Sequence, residues 1–168
     1  NKDIYISLEE RTAIANINRG ALFISIHVNF SQNKEARGLE IYYLDMTEDK
    51  GSIKLAAREN GTGELSVLEF IKIDLAKTLA GNESVNAARL IQKTAYNYLQ
   101  NKSLIYFENR SAKSAMFYVL WGTKMPSILA EIGFLSNKED AKLLKKDDYR
   151  EKISMAIYNG ILSYFNHE

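Results

Sequence analysis

Short apolar runs recur along the chain and predict strands spread through the sequence. Residues 21–28 form a branched, apolar run that is typical of a strand buried on both faces of a parallel sheet. Residues 38–44 alternate between polar and apolar positions and predict a second strand. Two further apolar runs, at 116–120 and 127–132, predict two more strands.

Helical spacing of apolar residues fills the segments around these strands. Ser7 and Glu10 stand at the spacing of a capping box, so a helix is predicted to begin there and to stop near Gly20. Further helices are predicted over 52–60, 65–79, 84–100 and 147–165. Helices that alternate with buried strands predict an α/β fold with a mostly parallel sheet covered on both faces.

The composition is that of one globular domain. The chain has 168 residues, a net charge of +1 and no cysteine. We therefore expect no nucleic-acid partner, no disulfide and no thiolate metal site. No apolar run reaches the roughly 18–20 residues that span a membrane. The abrupt polar start, without Met, favours a processed or trimmed product of one domain over residues 1–168.

The chain contains two histidines, and the pattern around them differs. His167 is the penultimate residue and is expected to be solvated. His27 ends a predicted strand and is followed by polar residues that include Asn29. Because sites in open α/β sheets form outside the carboxyl ends of strands, His27 is a candidate ligand. The alternative, a core histidine bonded to a backbone carbonyl, stays open.

Two glutamates lie within predicted strands. Glu131 is the single carboxylate of an apolar run, and such a buried group is usually paired, protonated or functional. The alternative is a glutamate at a strand end that faces water. Gly133, two residues further on, indicates a close backbone approach and favours a functional role for Glu131. A glutamate beside a metal site can move a proton between water and a leaving amine. Glu40 alternates with apolar neighbours, so we expect it to face solvent or a sheet edge.

At these positions the sequence resembles a known enzyme family. Residues 25–29, Ser-Ile-His-Val-Asn, resemble the Ser-Ile-His-x-Asn signature of the zinc-dependent muramoyl-alanine amidases. Residues 125–137 resemble that family's catalytic block, and residues 8–16 resemble the helix upstream of the signature. The order and spacing of the motifs match through the closing helix, so the resemblance covers essentially the whole chain.

The resemblance implies a mixed, mostly parallel sheet of about six strands whose first strands precede Asn1. The family holds zinc with two histidines and a glutamate and uses a further glutamate as the catalytic base. His27 then corresponds to the second metal histidine, Glu131 to the catalytic glutamate, and Asn29 to a supporting position beside the ligands. The first histidine and the ligating glutamate are expected upstream of Asn1.

The segment at about 51–81 resembles the regulatory insertion of Gram-negative cell-division amidases. In that subgroup an inserted helix plugs the active site until a partner protein displaces it. The resemblance makes Glu59 the first candidate, and Glu64 the second, to occupy the open position of the zinc. The alternative is a pair of surface helices whose glutamates are simply solvated.

The implied function is hydrolysis of the amide bond between N-acetylmuramic acid and L-alanine of the peptidoglycan stem peptide. Such an enzyme would act in cell-wall remodelling and daughter-cell separation, in the periplasm or exported to the cell wall, with an activator protein as partner. Two alternatives remain: a catalytically inactive peptidoglycan-binding homologue, and a zinc peptidase on the same fold.

Overall fold

A computed structural model describes residues 4–61, 67–102 and 111–166, without the side chains of 67–80. Glu64 and His167 therefore lie outside the described residues. The elements follow in the order α1 (Leu8–Ile17), β1 (Phe23–Asn29), β2 (Glu40–Leu44), α2 (Lys50–Asn60), α3 (Val67–Asn101), β3 (Lys113–Ala115), α4 (Tyr118–Trp121), β4 (Ser127–Phe134), α5 (Lys138–Leu144) and α6 (Asp147–Phe165).

The described strands form one sheet in the order β1-β4-β2-β3. The amide of Phe23 donates to the carbonyl of Pro126 at 2.9 Å, and the amide of Leu135 donates to the carbonyl of Asn29 at 2.8 Å. β1 and β4 thus meet start to start and end to end, which makes them parallel. This α/β arrangement with a mixed sheet confirms the predicted fold class, with four strands in the described part of the chain instead of about six.

β4 and β2 run in opposite directions. The Asp140 carboxylate accepts from the amide of Gly38, just before β2, at 2.7 Å and from the amide of Phe134, at the end of β4, at 3.0 Å. The start of one strand therefore lies beside the end of the other, which is the antiparallel relation. This pairing makes the sheet mixed.

The prediction that β1 is buried on both faces is wrong. Ile26 is 60% exposed and Val28 is 38% exposed, whereas Ser25 and Asn29 are buried. Within the described residues β1 is the outermost strand of the sheet. The exposed and buried positions alternate, so one face of β1 is buried and the other is partly exposed, and apolar character alone did not decide which.

Two helix predictions also need correction. A single helix, α3, replaces the pair expected at 65–79 and 84–100, because a glycine such as Gly81 costs a helix only about 1 kcal/mol. The segment 116–120 contains the helix α4 in place of a strand. There the Asn60 carboxamide donates to the Met116 carbonyl and accepts from the Tyr118 amide, both at 2.8 Å, which takes these groups out of any strand ladder.

The first and last helices are confirmed. The Ser7 hydroxyl accepts from the Glu10 amide while the Ser7 amide donates to the Glu10 carboxylate, which completes the capping box of α1. α6 spans the predicted residues 147–165. Among the described residues, no helix is both long and apolar enough to cross a membrane.

Backbone contacts divide the chain into two compact units. The first comprises the residues through Ser25, Tyr43–Ser84 and Ser114–Ile128. In this unit α1 packs on α4, and the Asn16 carboxamide donates to the Gly122 carbonyl at 2.8 Å. A Cβ at Gly122 would lie 2.6 Å from the Thr12 hydroxyl, so glycine permits the close approach.

The second unit comprises Ile26–Tyr42, Val85–Lys113 and the residues from Leu129 onward. The Gln92 side chain of α3 accepts from the Ile41 amide at 2.8 Å and so ties this helix to β2. A Cβ at Gly160 would lie 2.8 Å from the Cα of Ile91, so α6 lies in close contact with α3.

Candidate catalytic and metal site

The structure brings His27 and Glu131 together. His27 lies near the carboxyl end of β1, and Glu131 lies in β4, the parallel neighbour of β1. His27 is half-buried and Glu131 is fully buried. One ligand atom of each side chain lies within 4.8 Å of the other. Two candidates that are more than 100 residues apart in sequence therefore share one location, although their roles remain predictions.

Asn29 lies two residues beyond His27 and is also buried. Its side-chain oxygen accepts from the Phe30 amide at 2.7 Å, and its backbone carbonyl accepts from the Leu135 amide. The side chain thus shapes the turn where β1 ends, while the backbone ties β1 to the end of β4. This placement suits the predicted role of Asn29 as a supporting residue.

Glu59 lies in the last turn of α2, which ends at the left-handed Gly61. Its side chain is 24% exposed and forms an ion pair of 3.1 Å with the guanidinium of Arg58. Glu59 belongs to the first compact unit, whereas His27 and Glu131 belong to the second. Glu64, the second candidate for autoinhibition, lies outside the described residues.

The donor types of His27 and Glu131 fit zinc. Imidazole nitrogen and carboxylate oxygen are both ligands that zinc takes in proteins, and catalytic sites combine them. The His27 nitrogen and the Glu131 carboxylate oxygen lie close enough together to serve one ion and its bound water.

The prediction that Glu40 faces solvent or a sheet edge is wrong. Glu40 is 3% exposed; its carboxylate accepts from the Lys113 ammonium at 2.7 Å and from the Tyr42 hydroxyl at 2.7 Å. A buried carboxylate is tolerated when an opposite charge and hydrogen bonds satisfy it. Leu39 and Ile41, on either side in the sequence, are buried too, so alternation could not reveal the burial of Glu40.

Sequence reasoning missed Asp140, a fully buried carboxylate in the first turn of α5. Asn137 caps this helix by accepting from the Glu139 and Asp140 amides. A capping asparagine three residues ahead of an acidic residue was the available signal, but it predicts the helix start and not the burial. Burial raises the pKa of the Tyr149 phenol well above its usual value, and Asp140 raises that pKa further.

The described residues form a mixed α/β fold in which His27 and Glu131 lie close together. Residues 1–163 match the family model described as N-acetylmuramoyl-L-alanine amidase, so the chain belongs to that family.

Two curated relatives match nearly the whole chain. YqiI of Bacillus subtilis is 33% identical over 98% of this chain and 61% of its own length. AmiA of Salmonella typhimurium, an N-acetylmuramoyl-L-alanine amidase, is 30% identical over 98% of this chain and 58% of its own length. The chain therefore spans about three fifths of the length of these relatives.

Solved amidases have the same fold. An N-acetylmuramoyl-L-alanine amidase from Clostridium difficile 630 matches with a TM-score of 0.70 and 25% identity, over 98% of this chain and 68% of that one. The CwlD amidase of Clostridioides difficile, solved in complex with the GerS lipoprotein, matches with a TM-score of 0.67 and 26% identity, over 96% of this chain and 62% of that one.

Proposed function

We propose that this chain forms most of the catalytic domain of a zinc-dependent N-acetylmuramoyl-L-alanine amidase. The observation that carries the proposal is the pairing of the His27 imidazole with the buried Glu131 carboxylate on adjacent parallel strands, in a chain of this family. The substrate would be the amide bond between the lactyl group of N-acetylmuramic acid and L-alanine of the stem peptide.

His27 would hold the zinc, together with the histidine and glutamate expected from the part of the protein before Asn1. Zinc, when bound, polarises the substrate carbonyl and lowers the pKa of water. His27 suits this role because its half-buried ring lies close to a carboxylate at the carboxyl end of β1, where open α/β sheets place their sites.

Glu131 would move the proton. As the oxygen of the attacking water bonds to the carbonyl carbon, the Glu131 carboxylate accepts the water proton. As the carbon–nitrogen bond breaks, the Glu131 carboxyl donates that proton to the departing nitrogen of L-alanine. The products are a lactyl carboxylate and a free amino terminus. β4 lies between β1 and β2, so the backbone on both sides holds Glu131 in a defined position.

Glu59 would act as an autoinhibitory ligand. It lies in the last turn of α2, within the segment that resembles the family's regulatory insertion, which supports this role. A site whose every position is filled by protein has no room for the reacting water. An activator that binds only the displaced α2 would then shift the protein to its active form. The structure of the CwlD amidase with the GerS lipoprotein supports a protein partner of this general kind.

The substrate sets the location. Peptidoglycan lies outside the cytoplasm, so the protein would act in the periplasm or be exported to the cell wall. There it would take part in wall remodelling and the separation of daughter cells.

Product analysis tests the proposed reaction. The full-length protein, loaded with zinc, is incubated with purified sacculi in the presence and absence of a chelator. An amidase releases stem peptides with a free amino-terminal alanine and leaves the glycan with lactyl carboxylates. Cleavage between amino acids would instead identify the zinc peptidase. Binding to sacculi without cleavage at any zinc concentration would identify the inactive homologue.

A further inference from the structure

The pairing of β1 and β4 contains one extra residue in β4. The carbonyl of Pro126 and the amide of Leu135, nine residues apart, bond to Phe23 and Asn29, six residues apart. This span in β4 is one residue more than an unbroken parallel ladder allows. The extra residue is the mark of a β-bulge, a feature that re-aims side chains near active sites.

Gly133 identifies the position of this bulge. Its φ of 154° lies in a region that favours glycine. A Cβ there would lie 3.3 Å from the Leu144 side chain and 3.4 Å from the Asp140 carboxylate. Gly133 follows Glu131 by two residues, so the bend lies directly beyond the candidate base.

Asp140 accepts a hydrogen bond from the Phe134 amide, which directly follows the bulge. One carboxylate oxygen of Asp140 accepts from both the Phe134 and Gly38 amides, and the other oxygen lies 3.5 Å from the Arg37 guanidinium. Asp140 itself is fully buried. A buried acceptor with two amide donors and an ion pair fixes its donors firmly.

We infer that Asp140 is a positioning residue for Glu131. It closes the bulge at Gly133 and so sets the direction of the β4 segment that carries the base. The expected effect on catalysis rests on the proposed function, whereas the contacts of Asp140 do not depend on it. Misplacement of a reacting group by about 1 Å can cost about 100-fold in rate.

The test compares Asp140→Ala and Asp140→Asn with Glu139→Gln, an exposed neighbour in the same helical turn. In Asp140→Ala the full-length enzyme should lose about 10-fold or more in kcat, with KM nearly unchanged, since the base is misaligned and the substrate contacts are not. Asp140→Asn keeps an acceptor oxygen and should recover part of this loss. Glu139→Gln should behave as wild type.

Two further measurements separate this inference from the proposed function. Amide exchange at Phe134 should accelerate in Asp140→Ala, and the NMR chemical shift of the Glu131 carboxyl carbon, measured at one fixed pH, should move. Both changes should be smaller in Asp140→Asn and absent in Glu139→Gln. If the wild type cleaves no sacculi, the proposed reaction fails while these two measurements still decide the positioning role. A folded Asp140→Ala protein with wild-type kcat, or with an unchanged chemical shift of the Glu131 carboxyl carbon, overturns the inference.

Discussion

At the scale of single residues, chemistry concentrates where two parallel strands bring distant side chains together. His27 and Glu131 have different tasks in the proposed reaction, since one would hold metal and the other would move a proton. A ring nitrogen of His27 and a carboxylate oxygen of Glu131 lie no more than 4.8 Å apart, so both tasks can be carried out at one place. The two roles can therefore be separated by measuring metal content and turnover independently.

Glu131→Gln in the full-length enzyme should keep zinc and lose at least about 10²–10⁴-fold in kcat, because an amide cannot accept the proton from water. His27→Ala should instead lose zinc. Metal analysis and turnover on sacculi measure the two effects. Glu35→Gln, on the exposed loop after β1, is the matched control and should change neither. Near-wild-type turnover of Glu131→Gln would show that another group is the base.

Tyr149 is expected to lower the free energy of unfolding of the protein at alkaline pH. Burial raises the pKa of its phenol above the usual value of about 10, so the folded state holds the proton more tightly than the unfolded state. Its contribution to stability is therefore complete below about pH 10 and is lost as the pH rises toward the raised pKa. In the described part of the chain its hydroxyl has no hydrogen-bond partner, so removing it should cost little at pH 7.

Tyr149→Phe should thus change the free energy of unfolding by less than about 1 kcal/mol at pH 7 and reduce the loss of stability between pH 7 and 11. Urea unfolding at both pH values measures the difference. Tyr158→Phe, on the same helix but 51% exposed, should leave the alkaline loss unchanged. An equal alkaline loss in wild type and Tyr149→Phe would contradict the raised pKa.

At the scale of elements, close helix contacts override intrinsic propensities. Gly160 lies inside α6, where alanine would normally stabilise the helix by up to about 1 kcal/mol. Here a Cβ would meet the Ile91 backbone of α3 at 2.8 Å for Cα and 3.1 Å for the carbonyl oxygen. Backbone atoms cannot turn aside as a flexible side chain can.

Gly160→Ala should therefore destabilise the protein by about 1–3 kcal/mol, the usual cost of overpacking. Denaturant unfolding measures the change. Ser154→Ala, at an exposed position of the same helix, is the control and should stay close to wild type. If Gly160→Ala were more stable than wild type, α3 and α6 would not be as close as the structure places them.

At the scale of the whole molecule, the insertion raises the question of regulation. Deleting the insertion, for example residues 52–80, would be a direct test of its role. Because α3 runs unbroken from Val67 to Asn101, that deletion would also remove the beginning of this helix. A point variant of Glu59 tests the proposed plug with less disturbance. Glu59 lies in the last turn of α2 and is the residue of this helix proposed to block the site.

Glu59→Gln should raise the basal activity of the full-length, zinc-loaded enzyme by about 5-fold or more, because the proposed inhibitory ligand loses its charge. Turnover on sacculi without any activator measures the effect. Glu48→Gln, an exposed glutamate just before α2, should leave activity unchanged. Unchanged basal activity in a folded, zinc-loaded Glu59→Gln protein would mean that Glu59 does not block the site.

Local signals in the sequence predicted those features that depend on neighbours along the chain. The capping box of Ser7 and Glu10 placed the start of α1, and apolar periodicity placed α6, because helices are stabilised by contacts three and four residues apart. The family resemblance singled out His27 and Glu131. Both residues could be predicted from short motifs along the chain, without knowledge of the fold.

Tertiary structure decided the features that depend on distant neighbours. Glu40 is tolerated in the interior because Lys113 and Tyr42 neutralise and bond its carboxylate, and one face of β1 is partly exposed although its residues are apolar. The structural role of Asp140 is apparent only in the folded protein, where its carboxylate accepts from the amides of Gly38 and Phe134. Burial and hydrogen bonding of a polar group are set by what the fold places around it, and a pattern along one chain segment does not contain that information.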